Sequence, residues 1–227
     1  MRPPAVRHPF DPGSLTDAAH APALYDRYPQ YEQVMDWVQS FVTQPHADLG
    51  RPGAVCPRMA PALRLNLVRL VALRTKTASV DEAGEKGGAL AALYEELFDD
   101  AESFRAGALM AVFPDLPEDQ ADTFIDGGHA RLRMNFVARG LMIGEFHPHS
   151  TVTSVRNPAL HVMRCPAPMF AVRALSRHDL IFLDRPETPP AERGQYLKHL
   201  LHHLGDQLTD RERDRIQAGF AELEGAK

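Results

Sequence analysis

The sequence contains only two cysteines, Cys56 and Cys165, and no C-x-x-C pair. A disulfide framework and a four-cysteine zinc site are therefore not encoded. No apolar run approaches the roughly 18 residues of a membrane-spanning helix. Met1 to Phe10 lack the apolar stretch of a signal peptide, so the cytoplasm is the expected location. There is no basic surplus either. The formal net charge is −5, with arginines scattered among carboxylates. Duplex-binding proteins usually carry a basic face, which argues against nucleic acid as a partner. A G-x-G-x-x-G turn, a Walker loop, a G-x-S-x-G elbow, an H-E-x-x-H pair and an EF-hand loop are all missing. Their absence argues against a nucleotide enzyme, an α/β hydrolase and a zinc protease.

What is present has an ordinary globular balance: 227 residues, 44% hydrophobic and 24% charged, enough to bury a core. Residues 1–27, rich in Pro, Asp, Gly and His, read as an irregular N-terminal arm, with one domain over 28–227. Tyr31, Val34, Trp37, Val38 and Phe41 have helical spacing. The Pro/Gly-rich stretch 45–61 cannot be a regular element. Strands are expected at 63–73, 107–113, 141–147 and 169–175. Helices are expected at 81–98, 117–139 and through the C-terminal part. There, Tyr196, Leu197, Leu200, Leu201, Leu204 and Leu208 share a face. Residues 148–168 read as a second irregular region. The pattern points to the α+β class. It would have a single, mainly antiparallel sheet of about four strands, covered by helices on one face, with a helical C-terminus.

Three segments could carry chemistry. Glu145, His147 and His149 alternate along an extended chain and so point to one side. Neighbours lie about 6.6 Å apart at the backbone, so either pair could share a metal, while all three need a bend that Pro148 could supply. Two histidines and a carboxylate suit non-haem iron. In the segment 157–168, His161 and Cys165 could each be an axial haem ligand, and Arg156 and Arg164 could pair with propionates or a substrate carboxylate. The Pro/Gly-rich loop carries His46, Asp48, Arg51 and Cys56. His199 and His203 lie one turn apart on a C-terminal helix, as a solvated face would place them. Asp126 and His129 are spaced like half of a carboxylate-bridged di-iron site whose second motif is missing.

The segments Leu49 to Pro57, Gly140 to Pro148 and Arg164 to Arg173 together resemble an uncharacterised bacterial domain-of-unknown-function family of specialised-metabolite clusters. The likeness covers roughly residues 28–185. More remotely, the order of parts is similar to the YqcI/YcgG family, some of whose members are haem proteins that N-oxygenate guanidine or amine substrates. That likeness places the Pro-Cys loop on Cys56 and Pro57, and the His/Arg segment on His161 and Arg164. It implies a haem-dependent oxygenase acting on a small nitrogen-containing, amino-acid-like substrate in specialised metabolism. The axial ligand would be His147 or His161, with Arg51, Arg156, Arg164 and Arg173 as anchors. Two other readings stand beside it. One is a non-haem iron enzyme using Glu145, His147 and His149. The other is a non-catalytic small-ligand-binding accessory protein. All three have a small molecule as partner, no membrane, and room for a homodimer.

Overall fold

The computed structural model describes residues 9–225. In chain order the elements are β1 (Thr16–Asp17), α1 (Pro29–Trp37), α2 (Met59–Arg64), β2 (Val68–Ala72), α3 (Val80–Leu97), α4 (Ala101–Ala106) and β3 (Ala108–Val112). They continue with α5 (Gly127–Ala138), β4 (Leu141–Phe146), β5 (Thr153–Ser154), β6 (Asn157–His161), β7 (Met169–Ala174), α6 (Leu180–Leu183), α7 (Pro190–Leu204) and α8 (Asp210–Gly225). Among the described residues no helix is long and apolar enough to cross a membrane.

Five strands form the main sheet in the order β1-β2-β3-β7-β4. β2 and β3 run parallel, joined by the crossover through α3 and α4, and the other neighbours are antiparallel. β5 and β6 make a separate hairpin. The class is the expected α+β, mainly antiparallel with a helical end. Local signals place its elements. Ser79 caps α3 by accepting a bond from the Glu82 amide, and the Glu82 carboxylate reaches back to the amides of Lys76, Thr77 and Ala78. Asp100 caps α4 through the amides of Glu102 and Ser103. Gly140, at φ 73°, closes α5 in the left-handed conformation that suits glycine.

Strand alternation sorts the core into two layers. Val71, Leu109, Ala111, Ile143, Phe170 and Val172 face α3 and α5. Val68, Leu70, Met110, Val112 and Met169 face the side where α1 and α2 pack. Both faces of the sheet are therefore covered, not one. A third cluster ties α6, α7 and α8 to Val137 and Leu175.

Other expectations need correction. Residues 63–73 do not form one strand: α2 occupies the first part, and Asn66, at φ 52°, turns the chain before β2. The arm is not wholly irregular. Residues 1–8 lie outside the described residues, but β1 adds an edge to the sheet, and Ala21 and Tyr28 are buried. Residues 117–139 begin with a 3-10 turn and a π-helical turn, Asp122–Asp126, before α5 proper. The region 148–168 contains the β5–β6 hairpin.

Two adjacent glycines on α3 give opposed predictions. A Cβ on Gly87 would run into Leu132 Cδ1 and approach Phe170, whereas one on Gly88 meets only Leu132 Cδ2 at 3.9 Å. Gly87→Ala should lower stability by about 1–3 kcal/mol through overpacking. Gly88→Ala should raise it by about 0.5–1 kcal/mol through helix propensity. Urea midpoints of the two variants check both signs.

Candidate functional site

Leu141 and Ile143 point into the core on the α5 side of β4. Two-residue alternation puts Glu145 and His147 in the same row, one and two steps further on. Opposite them, the π-helical turn ends at Asp126, and His129 follows three residues later on α5. A single-turn π insertion of this kind often sits at functional sites. α5 approaches closely because Gly128 leaves no room for a side chain against Ala83 and Phe170. The result is two imidazole–carboxylate pairs. His129 Nε2 lies 3.2 Å from Glu145 Oε2. His147 Nε2 lies 3.1 Å from Asp126 Oδ1. His147 is wholly buried, while the Asp126 side chain is 42% exposed and marks the solvent side of the cluster.

Burial pushes the Glu145 carboxyl up to about 7, its own backbone N–H pulls the other way, and the Asp126 charge adds to the rise. Burial, helped by the Arg133 charge, lowers His129 to about 4 although its ring also donates to the Ile143 backbone carbonyl. An uncharged imidazole has one N–H and one lone pair. An uncharged imidazole and a carboxyl whose proton affinity burial has raised therefore meet 3.2 Å apart. His147 repeats the pattern differently. One nitrogen bonds Asp126, and Nδ1 is buried with no hydrogen-bond partner. Such an orphan costs about 1–3 kcal/mol unless something fills it.

Of the Glu145, His147 and His149 set only Glu145 and His147 meet here, and Asp126 and His129 join them from the π-helical turn and α5. His149 is 60% exposed and pairs with Glu118 at 2.9 Å, so it does not join them. His129, read separately as half of a di-iron motif, takes that place beside Glu145. Helix spacing had flagged it; the strand it faces was not visible in the spacing. His161 sits on β6 opposite Thr153, with its own Nδ1 buried and unpartnered. Cys165 is buried in the α1–α2 layer, and burial pushes its thiol up to about 12.

The four arginines do not converge. Arg51 bonds the carbonyls of Pro52 and Val55 and braces its own loop. Arg156 is exposed and packs over Gly50. Arg164 bonds the Ser150 carbonyl. Arg173 holds Asp179 with two hydrogen bonds, of 2.8 and 2.6 Å. Of the two helical histidines one turn apart, His203 donates to the Ala138 carbonyl.

Two cavities bear on ligand binding. One, of about 360 Å³, lies between α4 and α7, with Phe98, Phe104, Arg105, Arg139, Gly140 and His203 in its wall. It meets β4 at its start, some 17 Å (~3.3 Å per residue) from the carboxylate cluster at its end. The other, of about 30 Å³, is lined by Cys56, Arg58 and Arg173 among others. Neither His147 nor His161 borders either cavity. A haem needs a wide apolar slot against its axial ligand; His147 is wholly enclosed and does not offer one, while His161 is half-buried on β6.

Residues 31–215 match a family described as a domain of unknown function, DUF6875. The chain belongs to the DUF6875 family. That membership agrees with the resemblance to a domain of unknown function and links it neither to specialised-metabolite clusters nor to YqcI/YcgG. No curated protein and no solved structure matches the chain. Among the described residues of this DUF6875 protein, no three His, Cys, Asp or Glu side chains stand close enough together to hold a metal ion. As it stands, the cluster is two pairs.

Arg173 and Asp179 give a pH prediction. Burial raises the Asp179 carboxyl, but the Arg173 charge and hydrogen bonds outweigh it, and the net shift is below the ordinary 3.8. A depressed native pKa means the pair's contribution is fully present above pH 4 and is lost as the pH falls through the lower native value. Asp179→Asn should therefore be less stable than wild type at pH 7. The gap should narrow as both are acidified below pH 4, read from denaturant midpoints along the pH series.

Proposed function

We propose that this DUF6875 protein is a non-haem iron enzyme acting on a small molecule, with His129, Glu145 and His147 as its metal-binding set and Asp126 as the orienting partner of His147. One observation carries this reading. The His129 ring and the Glu145 carboxyl meet at 3.2 Å inside the protein, beside a second buried imidazole whose Nδ1 has no hydrogen-bond partner. A cation seated between the two pairs would give each of them a partner. Two histidines and one carboxylate are the donors that ferrous iron takes in oxygen-using enzymes. A ligand histidine typically gives its other N–H to a carboxylate or a backbone carbonyl, and here Asp126 and Ile143 are those partners. Loading requires the two pairs to open toward a common centre, and the exposed Asp126 edge offers the way in. When bound, the iron would supply the oxygen chemistry. The chain would hold it away from water and fix the two rings.

The haem-dependent oxygenase reading rests on the YqcI/YcgG resemblance alone and has no support from the geometry. A ligand-binding accessory role has one observation in its favour, the 360 Å³ cleft between α4 and α7, which is of metabolite size.

Chelator-stripped protein should take up one ferrous ion per chain under anaerobic conditions, measured by elemental analysis after desalting. Glu145→Gln and His147→Ala should lose that ion, and His149→Ala should keep it. Asp126→Asn should weaken binding about 10–100-fold, as expected for an orienting partner. The reading fails if folded wild type retains no iron, or if Glu145→Gln and His147→Ala hold it as tightly as wild type.

A further inference from the structure

Far from β4's end, the chain brings two guanidinium groups to one small cavity. Cys56, Arg58, Met59 and Ala62 approach from the Pro/Gly-rich loop and α2, Ala106 to Ala108 from the start of β3, and Arg173 from β7. The two arginines differ in how their charge is matched. Arg173 is neutralised by Asp179 through a two-point contact. Arg58 has no carboxylate partner among the described residues. It makes one hydrogen bond there, to the Arg105 carbonyl. Tyr94 is close enough to feel both charges, but its hydroxyl donates to the carbonyls of Phe104 and Gly107.

The wall of this cavity therefore carries one surplus positive charge. The rest of the lining is Met59, Ala62, Ala106, Gly107, Ala108 and a thiol, and the carboxylate whose charge reaches Arg58, Asp179, is already held by Arg173. A charge held among apolar groups is costly unless an opposite charge meets it. We propose that the cavity is a binding site for one small planar monoanion, of the carboxylate, bicarbonate or nitrate class, held by the Arg58 guanidinium. A guanidinium presents its donors as a flat fork that matches such an anion at two points. A cavity of about 30 Å³ has room for a water-sized group or slightly more, which admits an anion of a few heavy atoms. Burial first, and then the nearby Arg173 charge, hold Arg58 below its ordinary pKa, which an anion would relieve.

The protein carries its own reporter. Cys56 lines the cavity and is half-buried, whereas Cys165, the other cysteine, is buried. Uncharged N-ethylmaleimide should thus react with native protein at Cys56, and Cys56→Ser should stay unlabelled. Formate, bicarbonate or nitrate, compared with perchlorate at equal ionic strength, should slow labelling of wild type. The slowing should reach about tenfold as the site fills, following mass action. Arg58→Met should label at one rate in all four salts. Arg58→Lys, which keeps the charge and loses the flat fork, should show weaker protection and covers the case in which Arg58→Met does not fold. Equal wild-type rates in all four salts would overturn the proposal. So would protection that survives unchanged in Arg58→Met, or in Arg58→Lys where Arg58→Met does not fold.

Discussion

The period of two along β4 is the constraint on which the rest of the site depends. The same alternation that buries Leu141 and Ile143 against α5 carries Glu145 and His147 into that layer, where Glu145 is largely and His147 wholly shielded from water. A carboxylate and an imidazole in such a place must find partners on the helix above. Asp126 and His129 are there because α5 begins with a π-helical turn and a glycine pair that lets it sit low on the sheet. Shifting the strand by one residue would bury Met142 and Gly144 instead and turn both polar groups away from α5.

Much of this was legible in the sequence. Capping residues in the sequence mark their helices: Ser176 with Asp179, Thr209 with Glu212, and Gly140 at the end of α5 all have capping geometry in the structure. The apolar runs at 108–112 and 169–174 are central strands, as their unbroken hydrophobicity suggested. β1 was invisible because two residues carry no alternation to read. α2 was hidden inside an apparent strand because Leu63, Leu65 and Leu67 alternate by chance across a helix end and a turn.

The candidate site was half legible, for a related reason. Glu145 and His147 could be grouped because one strand holds them, and Asp126 and His129 because one helix does. Joining the groups needs the distance between two elements, which local spacing does not contain. His149 was misgrouped because Pro148 ends the strand, so alternation no longer governs the next side chain, which leaves for Glu118 and solvent. Arg58 drew no notice in the sequence, as its neighbours across the cavity come from two distant segments, 106–108 and Arg173.

The position of β4 in the sheet gives the polar cluster a second consequence. β4 is an edge strand, with β7 on one side only. The Leu175 amide bonds the Gly140 carbonyl, so by antiparallel alternation the backbone groups of residues 141, 143 and 145 face outward, free to pair with another chain. An apolar edge of this kind invites strand-to-strand aggregation unless it is blunted. His129 and Glu145 stand beside this edge with their side chains 3.2 Å apart. The polar side chains at this end of β4 thus also act against edge-to-edge growth of the sheet.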